Sequence, residues 1–357
     1  MDLTLGKKLA SQHGPILVTG HTGFKGTWLT FLLENLDLSV VGLSLPPERN
    51  SLFERANRFG KIPEEFVDIR NASLVTKFMN QYRPSTIIHM AAQPLVIDSY
   101  KTPRITFETN VMGTVNLLDA AFQAKSVEAV VIVTTDKVYR NNETGKEFIE
   151  TDPLEGKDPY SASKVGTEAA VTAWQQISKV EAGPQVISVR AGNVIGGGDW
   201  AENRLLPDLI RGFLTTDPIQ IRNPNSTRPW QHVLDPLHGY ILALEALMRG
   251  SSFASVNFGP ESPSLSVKEV VTIASHMWNS QNPIEYLENS PKVFPEAVSL
   301  SLDSHQAKST LGWAPRWTQE EAVRSTIHWW KQVTENPNKL REACLTDIEK
   351  IISKGSQ

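Results

Sequence analysis

An apolar run, Ile16-Leu17-Val18, leads straight into Thr19-Gly20-His21-Thr22-Gly23-Phe24-Lys25-Gly26, and a helical pattern from Trp28 to Leu36 follows. No other stretch constrains the fold as tightly. The G-x-x-G-x-x-G spacing permits a sharp turn, close backbone approach and close packing of helix on strand. The helix start then offers free N–H groups and the positive end of a dipole, which together suit a pyrophosphate. Gly20, Thr22, Gly23, Phe24 and Gly26 are therefore candidate ligands of a dinucleotide.

The acidic residue that takes a ribose hydroxyl in such loops, about 20 positions on, is missing. That region reads Leu43-Ser44-Leu45-Pro46-Pro47-Glu48-Arg49. Ser44 is a candidate for the ribose and Arg49 for a 2′-phosphate, so the loop leaves both NAD and NADP open. Asp68, followed by Ile69, is a candidate for the adenine edge or, equally, for a helix N-cap.

Further strand-length apolar runs stand at Val40-Val41-Gly42, Thr86-Ile87-Ile88, Val130 to Val133 and Val186 to Val189, with a weaker one at Phe66-Val67. Helical patterns at Ser73 to Tyr82, Arg104 to Ala124 and Ala162 to Ile177 separate them. Runs so uniformly apolar suit strands covered on both faces. The alternation predicts an α/β fold, a doubly wound parallel sheet of the Rossmann type. After Val189 the rhythm breaks. Loops are expected at Gly196-Gly197-Gly198 and Pro218 to Pro229, and helices at Pro236 to Met248, Val267 to Trp278, Gln319 to Gln332 and Lys339 to Ile352. We expect a dinucleotide domain over 1–189 with a return segment at 233–260. A smaller mixed α/β substrate domain is expected over 190–232 and 261–357.

The 357 residues give room for two domains of about 150 residues each. With 40% hydrophobic residues, wholesale disorder is excluded. No run approaches the ~18 apolar residues of a membrane span, and Met1 to Gly14 has no apolar core of a secretory signal. A net charge of −4 argues against non-specific nucleic-acid binding. One cysteine, Cys344, excludes an internal disulfide framework, and the scattered histidines form no metal-ligand spacing. A cytoplasmic protein without a metal is expected.

Tyr160-Ser161-Ala162-Ser163-Lys164 places a phenol and an ammonium on one helix face, with Cβ atoms ~6 Å apart. At an effective dielectric of ~20, a cation at that distance favours a phenolate by roughly 3 kcal/mol, about two pKa units. Such a tyrosine approaches the range of a general base. The fifth apolar run ends in Thr134-Thr135-Asp136-Lys137. Carboxyl ends of parallel strands are where these sheets bind ligands, so Thr135, Asp136 and Lys137 are expected to share a pocket with Tyr160.

The glycine loop, the strand-five segment and the Y-x-x-x-K helix resemble the extended short-chain dehydrogenase/reductase family. Within it the chain resembles the nucleotide-sugar 4,6-dehydratases, nearest the CDP-glucose branch. The resemblance extends through His89-Met90-Ala91-Ala92-Gln93-Pro94-Leu95, Asn110-Val111-Met112-Gly113-Thr114, Arg190 to Trp200 and Arg228 to Leu234. It implies NAD as cofactor, with Ala91, Ala92, Gln93, Asn110, Tyr160 and Lys164 beside it. It also implies a CDP-glucose or related nucleotide sugar as substrate. Asn193, Arg204 and Arg228 would meet the diphosphate and Arg222 the base or ribose. His232 has no assigned place, and Arg190 reads more readily as a structural ion pair.

In the implied reaction, Thr135 and Tyr160 hold the glucose 4-hydroxyl and Tyr160 takes its proton as the C4 hydride passes to NAD. Asp136 protonates the leaving 6-hydroxyl and a base removes the C5 proton. Relatives that use TDP-glucose place a glutamate next to the aspartate, whereas here Lys137 stands there. We expect Lys137 to act as the base, its pKa lowered by burial and by Lys164. A 4-epimerase of the same family lacks this Asp-Lys pair, and a non-catalytic binder has no need of it. Packing of Arg104–Ala124 and Ala162–Ile177 in relatives implies a homodimer. His21 and His89 are expected to satisfy local backbone groups, and Trp329-Trp330 to pack in a core.

Overall fold

The computed structural model describes residues 5–261, 263–287 and 300–353. Its centre is a sheet of β1 (Ile16–Thr19), β2 (Val40–Ser44), β3 (Glu64–Phe66), β4 (Thr86–His89), β5 (Ala129–Val133), β6 (Gln185–Ala191) and β7 (Ser255–Phe258). The spatial order is β7-β6-β5-β4-β1-β2-β3, and every pairing is parallel. The order reverses between β1 and β4, the crevice where open α/β sheets take their ligands.

All residues of β1, β2, β4 and β5 are buried, which accounts for their unbroken apolar character. Alternate side chains point to opposite faces. Leu17, Val41, Ile87, Val130 and Ile132 pack with residues of α2 (Ala72–Tyr82), α3 (Gly113–Gln123) and α4 (Pro159–Glu181). Ile16, Val18, Val40, Ile88 and Val131 pack in the core that includes α1 (Phe24–Asn35) and α6 (Leu234–Met248). Helices α5 (Leu205–Phe213), α7 (Val267–Trp278), α8 (Gln319–Glu335) and α9 (Leu340–Ser353) complete that second layer.

Two strands differ from expectation. The third begins at Glu64, earlier than Phe66-Val67, because it is an edge strand with half-exposed and exposed side chains and so carries no apolar run. β7 has no counterpart among the expected strands; it lies within 233–260 and pairs in register with Ser188–Ala191. Its four residues are buried, but Ser255 and Asn257 interrupt the apolar signal. The helix expected over 104–124 is divided by a π-helical turn at Glu108–Met112. Such turns often re-aim side chains at functional sites, and this one carries Asn110.

Outside the sheet, short ladders join Val194–Ile195 to Gln231–His232, Ile219–Arg222 to Ile284–Leu287, and Thr227–Arg228 to Leu265–Ser266. The Gly196–Gly198 loop lies against the α8 core. A Cβ on Gly197 would meet the Trp329 ring at 1.9 Å. Trp329 and Trp330 are buried in edge-to-face contact, the packing role expected of them.

Candidate active site

The glycine loop is built for close approach. Gly20 has φ +72°, and a Cβ there would stand 2.9 Å from the Ala91 nitrogen. At Gly26 a Cβ would meet the Gly20 carbonyl oxygen at 2.1 Å. Gly23 caps α1 without a side chain, and the first turn of α1 carries no acidic residue. Free N–H groups and the helix dipole therefore face an incoming anion without internal competition. Gly23 is exposed, so the cradle fits a pyrophosphate.

Thr22 and Ser44 face inward. Thr22 Oγ1 lies 2.7 Å from Ser44 Oγ and donates to the Leu45 carbonyl at 3.0 Å. Ser44, a candidate for the ribose, is instead buried in this pair. Asp68 is not a helix cap: Asn71 caps α2 by accepting from the Leu74 N–H. The Asp68 carboxylate is gripped by Arg70 at 2.6 Å, which holds it below the usual carboxylate range. Asp68 and Arg70 line a cleft of about 640 Å³ with Asn71, Ala72, Glu108 and Met112. The Ile69 side chain packs on Gly113, where a Cβ would meet it at 2.6 Å.

His21 and His89 bond chiefly to side chains, and His21 also meets the Leu43 backbone, as expected of it. His21 Nε2 meets Glu64 at 2.7 Å. The His89 ring bridges Thr19 at 2.6 Å and Thr114 at 2.9 Å, and burial lowers its pKa to about 3. Ala91, Ala92 and Gln93 are half-buried just beyond β4. The amides of Gln93 and Asn110 both hold protein partners. Gln93 folds onto both polar groups of Leu95. Asn110 accepts from the Gln93 N–H at 2.8 Å and donates to the Gln93 carbonyl and to Ser163. Its amide fastens the β4 loop to α4.

Asp158 caps α4 by accepting from the Ser161 N–H, and Pro159 sits in the first turn. Tyr160 and Lys164 thereby enter the site from a helix of fixed origin. Thr135 caps a 3₁₀ turn over Asp136–Val138, hydrogen-bonds to the Tyr160 hydroxyl and donates to Asp136 Oδ1 at 3.0 Å. Asp136 is buried, and its Oδ2 has no hydrogen-bond partner among the described residues. Gly192 lets the backbone approach that oxygen closely; a Cβ there would stand 3.0 Å from it. Burial pushes the Asp136 carboxyl above the usual range despite Lys137, Thr135 and Arg228.

Spacing alone misjudged the Tyr160–Lys164 pair. Lys164 Nζ donates to the Val133 carbonyl at 3.0 Å, at the end of β5. Burial raises Tyr160 to about 12, against the pull of Thr135 and Arg204, so the free protein keeps the phenol protonated. Burial also lowers Lys164 to about 8, with Glu168 opposing. Lys137 is half-buried, less enclosed than expected of the proposed base.

The arginines separate by surroundings. Arg204 pairs with buried Asp199 at 2.9 Å and its charge reaches Tyr160. Arg228 acts on Asp136 and donates to the Thr227 carbonyl at 2.8 Å. Asn193 is half-buried between β6 and the Val194–Ile195 ladder. Arg222 is exposed and its charge acts on Asp208. Arg190 forms a buried pair with Glu168 at 2.8 Å. His232 stacks on Trp317 and lies 3.5 Å from Asp347.

One charged neighbour of the site was not anticipated. Lys25, in the glycine loop, donates to the Tyr240 hydroxyl at 2.7 Å. Burial, then Lys164 and Arg204, bring it down to about 7. The clue was available, since a cation in the first turn of a helix runs against the dipole. Among the described residues no cluster could hold a metal ion, and no helix is long and apolar enough to cross a membrane.

A parallel sheet whose order reverses at a glycine-loop crevice, with a Thr-Asp-Lys turn facing a Tyr-Lys helix, is a dinucleotide-binding fold with acid–base groups at its crevice. The sequence model of the NAD dependent epimerase/dehydratase family matches residues 16–259. The chain belongs to that family. It is 40% identical over 328 residues to a CDP-glucose 4,6-dehydratase of Salmonella typhimurium, a match spanning 88% of this chain and 90% of the relative. A dTDP-glucose 4,6-dehydratase of Xanthomonas campestris is 28% identical over 88% of this chain and 92% of its own. The UDP-glucose 4-epimerase of Thermus thermophilus, solved with NAD, superposes with a TM-score of 0.76 at 25% identity, covering 89% of this chain and 99% of that one.

Proposed function

We propose that this chain is a 4,6-dehydratase that uses NAD to convert CDP-glucose to the CDP-4-keto-6-deoxy sugar and water. The observation that carries the reading is the Asp136 carboxyl. It is buried, its pKa is raised, and its Oδ2 is unpartnered beside Thr135 and Tyr160. A carboxyl whose pKa is raised by burial suits a general acid, and a 4-epimerase has no leaving group to protonate. The 40% identity to a CDP-glucose enzyme supports the choice of nucleotide.

The N–H groups of the Gly23–Gly26 turn would hold the NAD pyrophosphate, with Asp68 and Ile69 towards the adenine side. Bound there, NAD supplies the hydride acceptor for sugar C4 and afterwards the hydride donor for C6. Tyr160, oriented by Thr135, would take the 4-hydroxyl proton as a phenolate, a form that the cations Lys164 and Arg204 and the positive charge of bound NAD favour over the phenol of the free protein. The resulting 4-keto group acidifies the C5 proton. Lys137 removes that proton as Asp136 protonates the 6-hydroxyl, which leaves as water, and Lys137 later returns its proton to C5. Arg204, Arg228 and Asn193 would bind the diphosphate, and Arg222 the base or ribose. We place cofactor binding on residues 1–189 with 233–260, and substrate binding on 190–232 with 261–357.

The exposed Ile105, Phe107 and Met112 on one helical segment support a homodimer, and the single thiol fits a cytoplasmic setting. The base assignment is tested by turnover in deuterated water. Lys137→Ala should retain C4 oxidation but lose incorporation of solvent deuterium at C5. Undiminished C5 exchange would remove Lys137 from that role.

A further inference from the structure

Beneath the catalytic turn lies a buried ion pair that the reaction scheme leaves unused. Glu168 stands on α4, one helical turn beyond Lys164, and Arg190 on β6; both side chains are 5% exposed. Arg190 grips Glu168 with two parallel bonds, Nε to Oε1 at 2.8 Å and Nη2 to Oε2 at 2.9 Å. The remaining capacity of the pair is also used. Thr134 donates its hydroxyl to Glu168 Oε1, and Ser188 donates to Oε2 at 2.7 Å. Arg190 Nη1 donates to the Tyr139 hydroxyl at 2.7 Å and to the Glu150 carbonyl at 3.0 Å. The Tyr139 hydroxyl in turn donates to Asn257 Oδ1 on β7 at 2.7 Å.

Thr134 and Tyr139 are the two ends of one turn. Between them lie Thr135, Asp136 and Lys137. One end is tied to the carboxylate and the other to the guanidinium, so a single ion pair closes a ring around the reacting groups. A buried pair of this kind adds little net stability, since desolvation offsets most of its attraction, and apolar residues of similar volume often do as well. A fully satisfied network, by contrast, fixes geometry.

We propose that Glu168 and Arg190 are positioning residues of the reaction, which hold both ends of the Thr134–Tyr139 turn and so fix Thr135 and Asp136 against Tyr160. The inference rests on the dehydratase reading above. Its consequence is that releasing either end of the turn costs rate rather than substrate affinity, because misplacing reacting groups by about 1 Å costs up to ~100-fold.

Two variants release the ends without unpairing the ions. Thr134→Val removes the hydroxyl held by Glu168, and Tyr139→Phe removes the one held by Arg190. Steady-state kinetics with CDP-glucose, with thermal melting of each protein, should show kcat reduced at least about tenfold and KM within about twofold. Thr134→Ser, which restores the hydroxyl, should recover most of the lost rate. Either of two results overturns the proposal: kcat within about twofold of the parent in both variants, or a loss that Thr134→Ser does not recover and that follows the fall in melting temperature. Failure of the parent protein to dehydrate CDP-glucose would instead overturn the functional reading itself.

Discussion

Asp136 shows how one side chain obtains its chemistry from its surroundings. The end of β5 takes it out of water, Thr135 satisfies one oxygen, and the other, beside Gly192, is buried without a hydrogen-bond partner among the described residues. Burial then outweighs the nearby cations and keeps its pKa raised. Asp136→Asn retains the size and removes the acid. In single-turnover experiments the variant should oxidise the sugar and form NADH at a near-normal rate, then stall before water loss, with the slow phase reduced by about 100-fold or more. Loss of the NADH phase itself would show that Asp136 serves the first step. Tyr160 carries the opposite lesson. Its spacing to Lys164 was plain in the sequence, but burial of the phenol and the turn of Lys164 toward the Val133 carbonyl follow from the packing of α4 on β5 and could not be read from spacing.

Among the elements, the glycine loop was the most legible. Gly20 and Gly26 are placed where backbone meets backbone, and such positions admit no side chain. Gly26→Ala would set a methyl 2.1 Å from the Gly20 carbonyl oxygen, so the loop must shift. We expect NAD affinity to fall at least about tenfold and stability by about 1–3 kcal/mol, read by calorimetric titration and urea denaturation. Unchanged affinity would mean that the loop does not hold the cofactor. β1, β2, β4 and β5 were readable because burial on both faces keeps a central run of apolar residues in each, with polar residues confined to the strand ends. β7 was hidden because Asn257 spends its polarity inside the protein, donating to the Phe148 and Asp303 carbonyls. Thr134, Tyr139, Glu168 and Arg190 were equally hidden as a group. The turn that carries the first two lies far in sequence from Glu168 and Arg190, and only the adjacency of β5, β6 and α4 brings them together.

Across the whole molecule, the C-terminal helix α9 is tied to the ladder next to the site. Asp347 on α9 is buried, faces His232 and accepts from Ser325 and Lys350 at 2.8 Å each. Burial raises its pKa, but the neighbouring His232 and then Lys350 outweigh that and bring it down to about 2. A carboxylate whose folded pKa is depressed stabilises the fold above its unfolded pKa, ~3.9, and loses that contribution as pH falls through the folded value. The difference corresponds to about 2–3 kcal/mol. Asp347→Asn should therefore lower stability by about that amount at pH 7 in urea denaturation, and the gap from the parent should close as pH falls from 4 to 2. A gap independent of pH would assign the loss to packing. Cooperation between the α9 core and the sheet also explains why the second half of the chain was the harder half to read. Its ladders are only two to four residues long, too short for a strand period to stand out from the sequence.

The central claim is dehydration of a cytidine nucleotide sugar, and proton NMR tests it most directly. CDP-glucose, dTDP-glucose and UDP-glucose would each be incubated with the protein and catalytic NAD. The account predicts a new C6 methyl doublet from CDP-glucose and none of comparable rate from the other two. A methyl doublet from another nucleotide in its place would contradict the assigned substrate, and a changed C4 proton without any methyl signal would contradict the dehydratase chemistry.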